Sequence, residues 1–176
     1  NALFHETGDR FGQAYSFCGV GNAHRMMGHF PEALEYFAKA ATLYEDIGDE
    51  VSYAWTLWSW GTALKVLRRF VEAKEKLEAA SKLFGRTRDT RGMVYYLLSV
   101  AEIAFLEGER DKAVRFLKEA ERSLLEKPFQ LEWAHLKLYC YLVGEGRETL
   151  QNIYEIYKRI GALFLQKFPS FPINLP

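Results

Sequence analysis

Apolar residues return every three to four positions along most of this chain, which is the pattern of amphipathic α-helices. The clearest stripes are Leu34, Phe37, Ala40, Ala41 and Tyr44; Leu57, Trp60, Leu64 and Leu67; Phe70, Ala73, Leu77, Ala80 and Phe84; Leu97, Val100, Ile103 and Leu106; and Ala113, Leu117, Ala120 and Leu124. Taken in order, these stripes predict helices arranged in pairs along the chain.

The same residue types also return at an interval of 40 positions. The matching sets are Asp9, Asp49 and Asp89; Ala33, Ala73 and Ala113; Ala40, Ala80 and Ala120; Gly21, Gly61 and Ala101; and Tyr15, Trp55 and Tyr95. A fixed period of this size is typical of stacked copies of one supersecondary unit. Such arrays usually present a continuous surface to a partner rather than a buried catalytic pocket.

Each unit is predicted to contain two helices. In the first unit Asp9 is the expected N-cap, and the helix should run to about Met27. Gly28 tolerates the positive φ of a helix end, and Pro31 suits the first turn of the second helix. The predicted units are residues 8–47, 48–87, 88–127 and 128–167, which together with residues 1–7 form an array over 1–167.

The two ends of the array depart from the pattern. Leu3-Phe4 aligns with the tail of a second helix, so we expect residues 1–7 to end a truncated upstream repeat in a longer protein. In the fourth unit, Gly144 follows Gly108 by 36 positions, and we expect the loop at Lys127-Pro128 to lack the four missing residues. That register places Trp133, Leu136 and Cys140 on its first helix, and Leu150, Ile153, Ile156 and Ile160 on its second.

Composition and charge exclude several classes of protein. The 23 basic and 23 acidic side chains cancel, so there is no basic footprint for direct nucleic-acid binding. No stretch of 18 apolar residues is free of charge, so we expect no membrane span, and we do not expect the first residues to be a signal peptide. Only Cys18 and Cys140 carry thiols, which fits a reducing, cytoplasmic location.

Several in-phase matches resemble the tetratricopeptide repeat family. The matching residues are Gly21-Asn22-Ala23, Gly28, Phe30, Ala33, Leu34, Phe37 and Ala40; Gly61-Thr62-Ala63, Phe70, Ala73, Leu77 and Ala80; and Ala101, Gly108, Ala113, Leu117 and Ala120. Arg68 replaces the loop glycine of the second unit, and Ile103 and Arg110 depart from the pattern in the third. The 40-residue period, longer than the usual unit of the family, is similar to that of Pins-type polarity adaptors and of bacterial peptide-pheromone receptors.

The resemblance implies an all-α, right-handed superhelical solenoid of antiparallel helix pairs, whose first helices line a concave face. The partner-binding positions exposed on that face would be Tyr15, Cys18, Asn22, Arg25 and Met26; Trp55, Trp58, Thr62, Lys65 and Val66; Tyr95, Leu98, Glu102, Phe105 and Leu106; and Leu131, Ala134, Leu138 and Tyr141. The small residues that recur at the helix contacts are expected to be structural, because helices approach closely only across Gly or Ala.

The aromatic side chains carry the binding hypothesis. Trp and Tyr are enriched at interface hot spots, so Trp55 and Trp58 are candidates for contact with a partner. The alternative is that these rings pack between neighbouring first helices. Arg25 and Lys65 occupy equivalent slots and either bracket an acidic ligand group or form a solvated edge. By the resemblance, Asn22 would hydrogen-bond an extended peptide, although the other residues of a carboxylate clamp are absent.

The sequence carries no motif that indicates catalysis. The four histidines lack metal-ligand spacing, and Gly19-Val20-Gly21 lies inside a predicted helix without a preceding strand. We therefore expect neither an enzyme nor a cofactor. The leading expectation is a scaffold that binds a peptide or helix of a partner protein. The alternatives are a ligand- or peptide-sensing segment of a larger regulator and a self-association module that pairs through its end repeats or its tail.

The C-terminal residues 168–176 hold three prolines and cannot continue a helix. Two interpretations stay open for their apolar side chains. Phe168, Phe171 and Ile173 either cover the exposed end of the last helix or occupy the concave groove as a ligand would. Deletion of this tail should lower the melting temperature in the first case and increase peptide binding in the second.

Overall fold

Eight helices form the part of the chain that the structure, a computed structural model, describes, namely residues 2–162 and 169–176. Their bounds are α1 (Ala2–Met26), α2 (Phe30–Ile47), α3 (Glu50–Val66), α4 (Phe70–Arg86), α5 (Thr90–Leu106), α6 (Arg110–Glu126), α7 (Gln130–Leu142) and α8 (Leu150–Arg159). Over these ranges every regular element is an α-helix, which confirms the all-α prediction. None of the described helices is both long enough and apolar enough to cross a bilayer.

The helices divide between two units, and consecutive helices pack against each other within each of them. The first unit comprises Asn1–Arg88 and Leu175; in it α1 packs on α2, α2 on α3 and α3 on α4. The second comprises Asp89–Asn174 and Pro176; in it α5 packs on α6, α6 on α7 and α7 on α8. This succession of adjacent pairs is the arrangement that the 40-residue period predicts.

Small residues allow the helices to approach closely, as the sequence predicted. Ala33 and Ala63 are fully buried with Phe37 in one cluster of the first unit. A Cβ added at Gly61 would lie only 2.8 Å from Cγ of Leu77, so the α3–α4 contact has no room for a side chain there. These residues are therefore structural, because they set the distance between helix axes.

Helix ends follow the predicted turn chemistry in the middle of the chain. Gly28 and Gly48 adopt φ values of 81° and 80° beyond α1 and α2. The carboxylate of Asp49 accepts a hydrogen bond of 3.0 Å from the Ser52 amide at the start of α3, and Asp89 caps α5 in the same way. Arg68 takes the left-handed conformation (φ 60°) in the slot that holds Gly28 in the first unit.

The predicted helix start at Asp9 is wrong. Helix α1 runs from Ala2 through Gly8 and Asp9 without interruption, and Gly8 does not adopt a positive φ. A Gly-Asp pair permits a turn but does not enforce one, because glycine occupies helical and left-handed conformations with similar ease. The predicted boundary between residues 1–7 and 8–47 therefore falls inside a helix.

The loop at Lys127-Pro128 is not shortened, contrary to our expectation; the 36-residue step from Gly108 to Gly144 comes instead from a shorter helix α7. The connection 127–129 is as long as 87–89, whereas α7 has 13 residues and α5 has 17. The connection 143–149 is correspondingly longer than 107–109. At Gly146 the chain folds back so closely that a Cβ would lie 2.8 Å from the backbone nitrogen of Tyr141. Helix α7 therefore ends four residues earlier than α5 does, and the turn 143–149 contains those four residues.

Candidate functional site

The predicted binding positions of the first unit are less exposed than expected. Tyr15 and Met26 are exposed, and Cys18, Asn22, Trp55 and Val66 are half-buried. The prediction of exposure is wrong for four positions, which are Arg25, Trp58, Thr62 and Lys65. Trp58 retains only 3% of its surface, so the first unit does not present both tryptophans on an open face.

Contacts among the first helices explain part of this burial. The ring of Trp58 lies edge-on to Trp55 at 5.9 Å, and the guanidinium of Arg25 lies 5.4 Å from the Trp58 ring. Trp55 also packs on Phe84 of α4 at 5.0 Å. This is the alternative in which the rings pack between neighbouring helices, and the cation–π contact adds to it.

Arg25 hydrogen-bonds neutral groups in the described structure. Its Nε donates to Asn22 Oδ1 at 3.2 Å, and its Nη1 donates to the carbonyl oxygen of Leu175 at 2.5 Å. Burial lowers the pKa of Arg25 to about 10, so the guanidinium remains a cation at neutral pH. A buried cation needs such acceptors, because leaving it without them is costly.

Cys18 lies beside this arginine, and its thiol is not activated. The Thr56 hydroxyl lies 3.5 Å from Cys18 Sγ and the Asn22 amide nitrogen 3.6 Å. Burial raises the pKa of Cys18, although the hydrogen bond from Thr56 and the charge of Arg25 act in the opposite direction. A thiol with a raised pKa is a poor nucleophile.

In the second unit, Tyr95, Leu98 and Glu102 are buried and Phe105 is half-buried, so the prediction of exposure is wrong for the first three. Of the remaining predicted positions, Ala134 and Leu138 are buried, Leu106 and Leu131 are half-buried, and Tyr141 is exposed. Tyr95 packs edge-on against His135 of α7 at 5.8 Å. Packing of α5 against α7 thus covers part of the surface that the sequence assigned to a partner.

The C-terminal tail covers another part of it. We call residues 169–176 the tail segment, and Glu102, Phe105 and Tyr139 the α5–α7 face. The ring of Phe171 lies edge-on to Phe105 at 5.6 Å and to Tyr139 at 5.0 Å. Ile173, two residues further on, is only 8% exposed. The tail segment therefore packs the Phe171 ring on the α5–α7 face, and its Ile173 side chain is buried.

A buried carboxylate also holds the backbone of the tail segment. Glu102 is fully buried; its Oε2 accepts a hydrogen bond of 3.1 Å from the Tyr139 hydroxyl, and its Oε1 accepts from the backbone N–H of Ile173. Burial, and then the charge of Glu102, raise the pKa of Tyr139 well above its usual value, so its hydroxyl stays protonated and donates. The two oxygens of one buried carboxyl group thus hold both the α7 side chain and the tail backbone.

These contacts favour the groove interpretation of the tail, because Phe171 and Ile173 lie against the predicted first-helix positions Glu102 and Phe105. Phe168, the other side chain of that prediction, lies outside the described residues. Tyr139 is the participant that the sequence analysis missed. It follows Ile103 by 36 positions, so the same repeat alignment could have placed it next to Glu102.

Polar groups elsewhere in the second unit serve its packing. Arg91 donates from both Nε and Nη2 to Oε1 of the buried Glu132, at 2.8 and 2.6 Å. His135 Nδ1 lies 2.7 Å from the hydroxyl of Tyr157 on α8. Burial lowers the pKa of His135 to about 3, so the ring is neutral at physiological pH. These pairs join α5 to α7 and α7 to α8.

Surface cavities occur in both units among the described residues. One of about 530 Å³ lies between α6, α7 and the turn 145–148, where Lys137 forms an ion pair of 2.7 Å with Glu148. The other, of about 650 Å³, lies in the first unit between α2, α3 and α4. Among the described side chains no group of three or more His, Cys, Asp and Glu residues could hold a metal ion. No protein-family model and no curated protein matches this chain.

Proposed function

We propose that this chain is a protein-interaction module, similar to a tetratricopeptide array, that binds a non-helical segment of a partner protein on the α5–α7 face. One observation carries the proposal: the tail segment lies on that face and is held both by its side chains and by its backbone. A surface that binds one non-helical segment has the chemistry to bind another of similar composition.

The contacts combine the two elements that peptide recognition requires. Each residue of an extended peptide, proline excepted, has a backbone N–H that must find an acceptor when it leaves water. Glu102 supplies that acceptor within a buried setting. Phe105 and Tyr139 supply an apolar contact for an aromatic side chain. The backbone hydrogen bond then contributes affinity, and the contact with the aromatic ring contributes specificity.

The size of the contact sets the affinity to expect. An aromatic side chain that buries roughly 150–250 Å² contributes about 4–6 kcal/mol at about 25 cal/mol per Å². A hydrogen bond to a charged group adds about 1.5–3 kcal/mol. Ordering the peptide and removing its free motion oppose these terms by at least several kcal/mol. A dissociation constant of about 0.1 mM or weaker is the expected net result.

The test measures binding of a fluorescent peptide with the sequence of residues 169–176. The receptor is the full chain with Phe171→Ala, which removes the ring that anchors its own tail. This variant should bind the peptide more tightly than the unchanged chain does. Substitution of the exposed Tyr15 by alanine in the same background should leave the affinity unchanged. A folded Phe171→Ala chain without measurable affinity for the peptide would contradict the proposal.

Self-association is the second candidate, because α1 leaves large apolar side chains exposed. These are Phe11, Tyr15, Val20 and Met26. Large apolar side chains that stay exposed are candidates for interaction surfaces. Light scattering over a range of concentrations tests this candidate directly. A mass that rises with concentration, and a loss of that rise after Tyr15→Ser, would support it. A constant monomer mass would refute it.

A further inference from the structure

We propose, resting on the proposed function, that the α5–α7 face selects partner segments with an aromatic residue followed, two positions later, by an aliphatic residue with a free backbone N–H. Glu102 is the specificity-determining residue in this proposal. A segment with proline or an N-alkylated residue in place of the aliphatic residue would be rejected. The occupant is a segment of a partner protein, and the tail segment shows the chemistry that this segment shares.

The requirement for an N–H follows from the burial of Glu102. Its side chain has no exposed surface, so water cannot take the place of a missing donor at Oε1. The Tyr139 hydroxyl already donates to the other oxygen at 3.1 Å. A segment without an N–H opposite Oε1 would bring a carbon atom against a buried carboxylate oxygen. Loss of a donor to a buried charge is among the most costly changes in a binding site.

The tail segment itself shows which of its positions tolerate proline. Its prolines are Pro169, Pro172 and Pro176, and the residue that donates to Glu102 is Ile173. Pro172 lies between the aromatic residue and the donor, where its missing N–H removes no described hydrogen bond. Proline at that place limits the freedom of the unbound segment, which lowers the entropy cost of binding.

The requirement for an aromatic ring follows from the geometry around Phe171. Phe105 and Tyr139 both meet it edge-on, at interplanar angles of 64° and 69°. Edge-to-face contacts use the electrostatics of the ring, which an aliphatic side chain of similar area lacks. A leucine in place of the phenylalanine should therefore bind more weakly, and an acidic residue close to Glu102 should be disfavoured by repulsion.

The experiment compares peptides against the full chain carrying Phe171→Ala. The parent peptide has the sequence of residues 169–176, and its partner carries N-methyl isoleucine at the position of Ile173. We expect at least a tenfold weaker affinity for the methylated peptide, which corresponds to about 1.4 kcal/mol. The matched control is N-methylation at Ser170, an exposed residue, which should change the affinity less than about twofold.

A second receptor assigns the selection to Glu102. Glu102→Gln keeps the shape of the side chain and removes its charge, so the ratio between the parent and methylated peptides should fall. Circular dichroism establishes that this variant is folded. If the parent peptide binds and the methylated isoleucine peptide binds equally well, this inference is wrong while the proposed function stands. If the parent peptide itself does not bind, the proposed function fails. Equal discrimination by the Gln variant would also overturn the role of Glu102.

Discussion

Gly61 offers a direct test of the close helix packing in the first unit. It lies inside α3, where replacement of glycine by alanine ordinarily stabilises a helix by about 0.5–1 kcal/mol. The structure opposes that gain, because an added Cβ would lie 2.8 Å from Cγ and 3.0 Å from Cδ2 of Leu77. It would also lie 3.3 Å from the backbone oxygen of Ala73. The contact therefore involves the branch point of a side chain and a carbonyl, neither of which moves freely.

The net effect follows from two opposing terms. Overpacking a tight core contact costs roughly 1–3 kcal/mol, and the helix term returns about 0.5–1 kcal/mol. Gly61→Ala should thus lower the free energy of unfolding by about 0–2.5 kcal/mol. Gly19 is the matched control, because it lies in α1 with nothing within 4 Å of an added Cβ. Gly19→Ala should raise the free energy of unfolding by about 0.5–1 kcal/mol.

Urea unfolding followed by circular dichroism measures both variants. The midpoint should shift down for Gly61→Ala and up for Gly19→Ala, with unchanged dependence on denaturant concentration. The difference between the two variants isolates the packing term at about 1–3 kcal/mol, since both carry the same helix term. If both substitutions raised the midpoint by the same amount, the close approach of α3 and α4 at Gly61 would be refuted.

Two further predictions concern a helix cap and a buried histidine. Asp49→Ala should lower the free energy of unfolding by about 1 kcal/mol, whereas Asp9→Ala, inside α1, should cost almost nothing in urea unfolding. Burial lowers the pKa of His135 to about 3 in the folded chain. Between about pH 6.5 and 3, His135 is therefore protonated in the unfolded chain and neutral in the folded chain. Stability should then fall as pH drops from about 6.5 towards 3, by up to about 1.4 kcal/mol per unit, and His135→Gln should reduce that slope in unfolding curves.

The helices could be predicted because their cause is local in the sequence. A stripe such as Phe70, Ala73, Leu77 and Ala80 fixes one buried face whatever the rest of the chain does. The repeat of Asp49 at Asp89 likewise located two real caps. The same reasoning failed at Asp9, where the dipeptide is identical to Gly48-Asp49 but the helix continues. Local sequence allows both outcomes there, so the surrounding structure decides between them.

The candidate site was harder to predict because burial depends on distant residues. Glu102 was assigned to an exposed position by its place in the repeat, but Tyr139 and Ile173 enclose it. Periodicity cannot show that a tail 71 positions away returns to the same surface. A single acid among the apolar residues of α5 was nonetheless an indication, because a carboxylate in such a helix needs donors.

Tethering of the tail segment has a quantitative consequence for any partner of the α5–α7 face. Binding within one chain can have an effective concentration in the millimolar range. If the tail bound with an intrinsic dissociation constant of about 0.1 mM, an effective concentration of about 1 mM would keep the face occupied about nine-tenths of the time. A partner segment would then bind the unchanged chain about tenfold more weakly than a chain without the Phe171 anchor. The ratio of these two affinities therefore measures how firmly the tail is held. It also sets the concentration above which a partner displaces the tail.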